Sequence, residues 1–145
     1  FLNTERLDHL VQTCRRFFEG QRDGRILGVF LYGSAMRGNS RADSDVDVAV
    51  LDAPNDRLSW GDEAGLMDAL ERATGCVIDL RMIRDCSLSH QAHILQEGKL
   101  IWAGDGKAIE DYRQNIVSAY SKKGEVHEQW LACVDRLAHQ LGAQR

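Results

Sequence analysis

The sequence predicts an α+β fold in which short strands and helices alternate along most of the chain. Two apolar runs, residues 26–32 and 45–51, have the length and composition of β-strands. The segment between them is too short for an ordinary parallel crossover helix, so these strands are expected to pair antiparallel as neighbours. Helical spacing of apolar residues precedes the first strand and follows the last, which places helices at both ends of the chain.

The remaining elements follow from periodicity and from capping residues. The first helix is expected over residues 4–19, where apolar residues recur at helical spacing before Gly20. Ser59 is a suitable N-cap for a helix that Gly75 would close. A strand, a short helix and a last strand are then expected over residues 76–83, 87–97 and 100–103.

The last forty residues predict two helices divided near Gly124. Their apolar positions are Ile109, Tyr112, Ile116 and Tyr120 before this glycine, and Val126, Trp130, Cys133, Val134, Leu137 and Leu141 after it. Such a stripe is typical of a helix that packs on a core, and it is also the kind of surface that binds a partner protein.

The composition limits the classes of function. A chain of 145 residues with 43% hydrophobic content is expected to form one domain over residues 1–145. The net charge of −4 argues against a protein that binds duplex nucleic acid, and no direct nucleic-acid contact is expected. Four cysteines without a C-x-x-C pair favour reduced thiols. No segment has the apolar length of a membrane span, so a cytoplasmic location and no membrane partner are expected.

Three places in the sequence carry candidate chemistry. Gly33 and Ser34 follow the first predicted strand, where a glycine lets the backbone approach an anion and a hydroxyl can bind phosphate. Asp45 and Asp47 are two residues apart in the second predicted strand and would share one face, where carboxylate oxygens suit Mg²⁺. Asp79 stands among apolar residues, where a carboxylate needs a partner or a metal. If its strand lies beside the second, three carboxylates converge.

These residues resemble a known family of enzymes. The resemblance is carried by Gly33-Ser34, Arg37-Gly38, Arg41, Ser44-Asp45-x-Asp47 and the later Asp79. This pattern is similar to that of the minimal nucleotidyltransferases of the DNA polymerase β superfamily, and among them most to the MNT antitoxins paired with HEPN-domain toxins. The resemblance implies a minimal nucleotidyltransferase fold: a small mixed β-sheet flanked by helices over about residues 24–104, with a helical extension over about 105–145.

The resemblance also implies an activity. This activity is the transfer of a nucleoside monophosphate from a nucleoside triphosphate to a hydroxyl group, assisted by two Mg²⁺ ions. In the antitoxin branch, the resemblance implies that AMP is transferred from ATP to a tyrosine of the partner toxin. Asp45 and Asp47 would bridge the ions. Asp79 would contact the acceptor-side ion and take the proton of the hydroxyl.

Four residues would act on the triphosphate or near it. Ser34 would hold the outgoing phosphates together with the following amides, and Arg37 or Arg41 would neutralise their charge. Ser44 would orient the turn before the strand.

Other interpretations stay open. The chain could be a nucleotidyltransferase that modifies a small molecule, although 145 residues leave little room for a second domain to hold the acceptor. It could also be an antitoxin that binds its partner without catalysis, which the complete carboxylate set disfavours. His90 and His93 are interpreted as a surface pair. The three tryptophans are interpreted as core or interface anchors, and they are Trp60, Trp102 and Trp130.

Overall fold

Helices and strands alternate along the chain as the sequence predicts. A computed structural model describes residues 4–33 and 45–143. The elements in order are α1 Thr4–Gln21, β1 Ile26–Tyr32, β2 Val46–Asp52, α2 Trp60–Thr74, β3 Ile78–Met82, α3 Leu88–Glu97, β4 Lys99–Ala103 and α4 Gly106–Ala143. A single 3₁₀ turn, Ile83–Asp85, follows β3, so this strand is shorter than the predicted run 76–83.

The four strands form one mixed sheet in the order β3-β2-β1-β4. β1 pairs antiparallel with both β2 and β4, which confirms the predicted pairing of the first two strands. β2 and β3 run parallel, because α2 connects them and returns the chain to the same end of the sheet. Among the described strands β3 lies at an edge of the sheet and pairs with β2 alone.

Helices cover both faces of the sheet. On one face, α1 and α2 pack on alternate strand residues, and the buried contacts include Cys14, Phe18, Val48 and Leu70. On the other face, α3 and the start of α4 pack on the intervening residues, which include Phe30, Ala49, Ile94 and Ile109. Because side chains alternate across a strand, both faces of β1 and β2 are apolar at their centres. Polar side chains on these strands are therefore confined to their ends.

The predicted caps are present at both ends of α2. The Ser59 hydroxyl accepts a hydrogen bond from the backbone N–H of Asp62, and the Asp62 carboxylate accepts one from the backbone N–H of Ser59, which forms a capping box. Gly75 ends the helix in the left-handed conformation at φ 69°. Ser87 caps α3 in the same way as Ser59 caps α2, by accepting from the backbone N–H of His90.

The C-terminal part of the chain differs from its prediction. α4 is one continuous helix of 38 residues that passes through Gly124, and the predicted division into two helices is wrong. A glycine in a helix interior costs only about 1 kcal/mol relative to alanine, which the flanking turns can offset. The only proline of the chain is Pro54, so no residue in this stretch forces the helix to end. Within the described ranges, no helix is long and apolar enough to cross a membrane.

Candidate active site

One row of polar side chains crosses three strands at the same level. Tyr32, the last residue of β1, lies opposite Asp47 of β2, and Asp47 in turn lies opposite Asp79 of β3. Residues directly opposite each other on paired strands point to the same face of a sheet. Two carboxylates and a phenol therefore share one patch, on the face that α3 and α4 cover.

The two carboxylates of this row are crowded. Partial burial, and then the negative charge of Asp79, raise the pKa of Asp47 above its ordinary value. Like charges directly opposite each other destabilise a sheet, so this pair favours a bound positive charge. The Asp79 side chain is 38% exposed, in contrast to the expectation of a buried carboxylate, because β3 is the edge strand.

Asp45 does not join this pair. It precedes β2 rather than opening it, since the first residue of the strand is Val46, whose N–H donates to the carbonyl of Val77. The rule that residues two apart share a face holds only inside a strand, which explains the difference from the prediction. Asp45 is exposed, although its charge still acts on Asp47. In the part of the chain that the structure describes, no group of three or more His, Cys, Asp or Glu side chains could hold a metal ion.

Gly33 directly follows β1, next to the row of polar side chains. Its φ of +81° lies in the left-handed region, which glycine adopts far more readily than other residues. A Cβ at this position would collide with the carboxylate of Asp47. Glycine is thus favoured twice, by the backbone conformation and by the space that the Asp47 carboxylate occupies.

The predicted phosphate-binding residues follow Gly33. Ser34, Arg37, Arg41 and Ser44 belong to the stretch 34–44, which lies outside the described residues.

Arg81 is a site residue that sequence reasoning missed. It stands two residues after Asp79 on β3 and therefore on the same face, with its Nη2 atom 3.4 Å from Oδ2 of Asp79. Asp79-x-Arg81 in a predicted strand is the signal that could have identified it. Arg81 lies opposite the buried Ala49 of β2.

His90 also belongs to this region. Its imidazole packs edge-on against the Tyr32 ring, with 5.7 Å between the ring centroids. Burial, and then the positive charges of Arg81 and His93, lower the pKa of His90 and favour the neutral ring. The interpretation of His90 and His93 as a surface pair holds for the exposed His93 and is wrong for the half-buried His90. His90 differs from His93 because α3 turns the His90 side chain toward the end of β1, where it contacts Tyr32.

The Tyr32 hydroxyl is buried and, within the described ranges, has no hydrogen-bond partner. Burial, and then the charge of Asp47, raise the pKa of Tyr32 to about 12. The phenol is therefore neutral at physiological pH. A buried hydroxyl without a partner is destabilising by about 1–3 kcal/mol, so a polar ligand at this end of the sheet would be favourable.

The donor set of the row suits a hard cation. Mg²⁺ prefers carboxylate oxygens and completes its coordination with water and substrate phosphates. Asp47 and Asp79 present such oxygens side by side. After burial, the charge of Asp79 is the next cause of the raised pKa of Asp47, and a divalent cation would neutralise that charge. The residues present therefore fit Mg²⁺.

Asp52, at the far end of β2, has a different role. Its buried Oδ2 accepts hydrogen bonds from Nε of Arg57 at 2.7 Å and from the backbone N–H of Leu58 at 3.1 Å. Nε of Arg84 lies 3.4 Å from its other oxygen. Sequence reasoning did not single out this carboxylate, which ties the loop after β2 to the 3₁₀ turn.

The three tryptophans differ in how far they are buried. Trp102 packs beside Phe18 against the core, with 6.3 Å between the ring centroids. Trp60 and Trp130 are exposed, so neither is a core anchor.

The sheet order and the paired carboxylates define the class of this protein. A four-stranded mixed sheet with helices on both faces and a long C-terminal helix is the minimal nucleotidyltransferase fold. The chain belongs to the family described as polymerase beta, nucleotidyltransferase, whose model matches residues 12–107. This match includes every strand and the whole row from Tyr32 to Asp79. No curated protein matches the sequence.

Solved structures of toxin–antitoxin complexes share the fold. A toxin–antitoxin structure with AMP-PNP aligns with a TM-score of 0.68 at 22% identity, over 86% of this chain and 97% of that chain. The toxin–antitoxin MntA–HepT aligns with a TM-score of 0.64 at 20% identity, over 88% of this chain and 97% of that chain. A complex of tri-AMPylated Shewanella oneidensis HEPN toxin with MNT antitoxin gives a TM-score of 0.64 at 20% identity, over 88% and 98% of the two chains. At these identities the likeness is one of fold.

Proposed function

We propose that this chain is the antitoxin of a HEPN/MNT toxin–antitoxin pair, and that it neutralises its partner by transferring AMP from ATP to a tyrosine hydroxyl of the toxin. The observation that carries this proposal is the pair Asp47 and Asp79 beside Gly33 at one end of the sheet. Membership of the nucleotidyltransferase family supports the reaction type. The likeness in fold to toxin–antitoxin complexes, one of them with an AMPylated toxin, supports the partner. Both ATP and such a partner would be met in the cytoplasm.

The acidic residues would hold the cation. In this proposal Asp45, Asp47 and Asp79 bind Mg²⁺, with two ions expected, and the exposed Asp45 needs only a side-chain or local backbone change to join the pair. When bound, the cations supply charge neutralisation on the triphosphate and on the leaving pyrophosphate.

The segment after β1 would hold the nucleotide. Gly33 brings the backbone close to Asp47, and Ser34 with the following amides would bind phosphate oxygens. Arg37 and Arg41 would balance the charge of the triphosphate, and Ser44 would orient the chain as it enters β2.

The transfer is a single displacement at phosphorus. The tyrosine oxygen forms a bond to the α-phosphorus of ATP as the bond from that phosphorus to the bridging oxygen breaks, so pyrophosphate leaves. Asp79 accepts the phenolic proton, and its 38% exposure lets it pass the proton to water. A cleft of about 400 Å³, lined by Arg81 and His90, lies along the same edge strand.

The C-terminal half of α4 offers a surface for the partner. Its large apolar side chains are exposed, and they are Val126, Trp130, Leu131, Val134, Leu137 and Leu141. All but Leu131 fall within an arc of about 100° when the helix advances 100° per residue. Contiguous apolar surface of this kind marks a protein interaction site.

The width of this apolar face favours a helical partner with a groove. A two-stranded coiled coil of this chain with itself would need a narrow seam flanked by charged residues. Here the flanking positions include Leu131 and Cys133, which are themselves apolar. Such a face packs best between two helices, which is what a helical HEPN toxin would present. The partner that we propose for this surface is therefore the toxin.

Intact-mass measurement of the co-purified toxin after incubation with Mg-ATP tests the reaction. Additions of one or more AMP units that map to tyrosine are expected with the wild-type chain, and they should disappear with Asp47→Asn. Asp68→Asn is the matched control, because Asp68 is an exposed carboxylate that pairs with Arg72 on α2. An unmodified toxin that is nevertheless inhibited would favour the antitoxin that only binds. Transfer to a small hydroxyl compound instead of the toxin would favour the small-molecule enzyme.

Charge substitutions on α4 test the docking surface. Trp130→Glu should abolish co-purification of the toxin, whereas Gln129→Glu adds the same charge one residue away and should retain it. Both positions are exposed, so neither change should lower the free energy of unfolding of the chain alone. Co-purification that survives Trp130→Glu would place the toxin on another surface.

A further inference from the structure

The ion pair between Arg81 and Asp79 is loose. The 3.4 Å between Nη2 and Oδ2 exceeds the usual 2.7–2.9 Å of a charge-assisted hydrogen bond, and the two side chains are 52% and 38% exposed. Exposed pairs of this kind contribute little to stability. Asp79 is therefore held by a contact that a stronger ligand can displace.

A second carboxylate of the same sheet shows the contrast. Asp52 is fully buried, lies 2.7 Å from Nε of Arg57 and also accepts a backbone N–H. Breaking that arrangement would leave a buried charge unpaired, which is strongly destabilising. The chain thus has a buried ion pair at the end of β2 and an exposed, longer one on β3 at the other end of the sheet.

Arg81 acts on both carboxylates of the row. Besides its contact with Asp79, its positive charge opposes the rise in the pKa of Asp47. Through these two interactions, Arg81 partly neutralises the negative charge of Asp47 and Asp79. The other basic group that faces the pair within the described residues is His90, whose neutral ring supplies no charge.

We propose that Arg81 is an internal counter-ion of the cation site: it holds Asp79 while no metal is bound and must release it before a divalent cation can bind. Arg81 therefore lowers the affinity of the site for the cation and partly neutralises Asp79 in the metal-free protein. This inference rests on the proposed function, because it assumes that Asp47 and Asp79 bind the metal.

The structure also provides a place for the released guanidinium. The cleft that Arg81 lines carries two carboxylates, Glu63 of α2 and Asp85 of the 3₁₀ turn. Asp85 is already paired with Arg57 at 3.0 Å, and burial, followed by the charges of Asp85 and Asp52, raises the pKa of Glu63. Arg81 can therefore exchange Asp79 for an acidic cleft without losing all of its electrostatic stabilisation.

Titration of the nucleotide-free chain with Mn²⁺, followed by calorimetry, tests this inference. Arg81→Gln should bind Mn²⁺ about threefold to tenfold more tightly than wild type, because the cation no longer competes with the guanidinium for Asp79. Its thermal midpoint in EDTA should be equal to or lower than that of wild type. Arg81→Lys, which keeps the charge and loses the planar fork, should lie between the two. Arg72→Gln makes the same change in net charge on α2 and should leave the affinity unchanged.

The outcomes separate this inference from the proposed function. Equal or weaker binding by Arg81→Gln, with normal binding by wild type, overturns the counter-ion role alone. If that variant instead loses affinity for AMP-PNP in the presence of Mn²⁺, Arg81 is a phosphate ligand. Wild-type protein that binds no Mn²⁺, or binding that persists in Asp47→Asn, overturns the metal site and the inference with it.

Discussion

Replacing Gly33 by alanine separates backbone strain from damage to the site, because the chain offers a matched control. Gly33 and Gly75 both have positive φ, at +81° and +69°. A Cβ on Gly75 would meet nothing within 4 Å, whereas one on Gly33 would meet the carboxylate of Asp47. The two alanine variants share the first effect, and only Gly33→Ala has the second.

The shared effect has a known size. A non-glycine residue in the left-handed region is less stable by about 1–2 kcal/mol, from which the lower chain entropy of alanine in the unfolded state recovers about 0.4–1 kcal/mol. Each variant should therefore lose about 1 kcal/mol in free energy of unfolding, or about 2–4 °C in thermal midpoint. The clash in Gly33→Ala falls on the end of the Asp47 side chain, which can rotate away at modest cost. That rotation moves the carboxylate out of line with Asp79.

Denaturant unfolding and Mn²⁺ titration, each carried out on both variants, measure the two effects separately. Similar losses of stability are expected, together with a loss of Mn²⁺ affinity of tenfold or more in Gly33→Ala and none in Gly75→Ala. Wild-type affinity in Gly33→Ala would refute the claim that this glycine makes room for Asp47. An equal loss of affinity in both variants would show that general destabilisation, and not the position of one carboxylate, controls binding.

Three further changes have definite expected outcomes. Asp47→Asn should leave the free energy of unfolding of the metal-free chain unchanged or raise it by up to ~1 kcal/mol, because it removes a like-charge pair across two strands. Thermal unfolding in EDTA measures this change. Tyr32→Phe should reduce the loss of stability that wild type shows between pH 10 and 12, to which Cys14 and Tyr112 still contribute because burial raises their pKa values too. An unfolded tyrosine titrates near ~10 and the folded Tyr32 at about 12, so the stability that Tyr32 contributes below this window is lost as pH rises through it. Denaturant unfolding at pH 9 and 11 measures this difference. Gly124→Ala should raise the free energy of unfolding by about 0.5–1 kcal/mol and increase helicity by circular dichroism, whereas a helix that ended near Gly124 would gain nothing.

Most of the fold could be predicted from local patterns. The pairing of β1 with β2 followed from the length of their connection, and the ends of α2 followed from Ser59 and Gly75. The continuity of α4 could not be predicted, because one glycine changes helix stability by an amount that the surrounding sequence can outweigh. The sequence therefore indicated a helical C-terminal region without deciding how many helices it contains.

Residue type and spacing in the sequence indicated candidate site residues, but they indicated less about how these residues are arranged. Gly33, Asp47 and Asp79 were identified from residue type and spacing, and the register of β2 with β3 brings the two carboxylates together. Arg81 was missed because a lone arginine in a strand is usually a solvated charge. His90 was missed because only the packing of α3 brings it to Tyr32.

The arrangement of charge along the row is itself an argument for a ligand. A sheet optimised for stability alone would not place two carboxylates opposite each other, leave a buried phenol without a partner in the described part of the chain, and balance the pair with a loosely held arginine. The first two features are unfavourable in the free protein, and a cation with a polyphosphate would relieve both. Asp52 shows the contrast, because its Oδ2 accepts hydrogen bonds from Arg57 and from the backbone N–H of Leu58, and Arg84 lies 3.4 Å from its other oxygen. The incomplete balance at Asp47 and Asp79 is therefore best explained as a site built to be completed by its substrate.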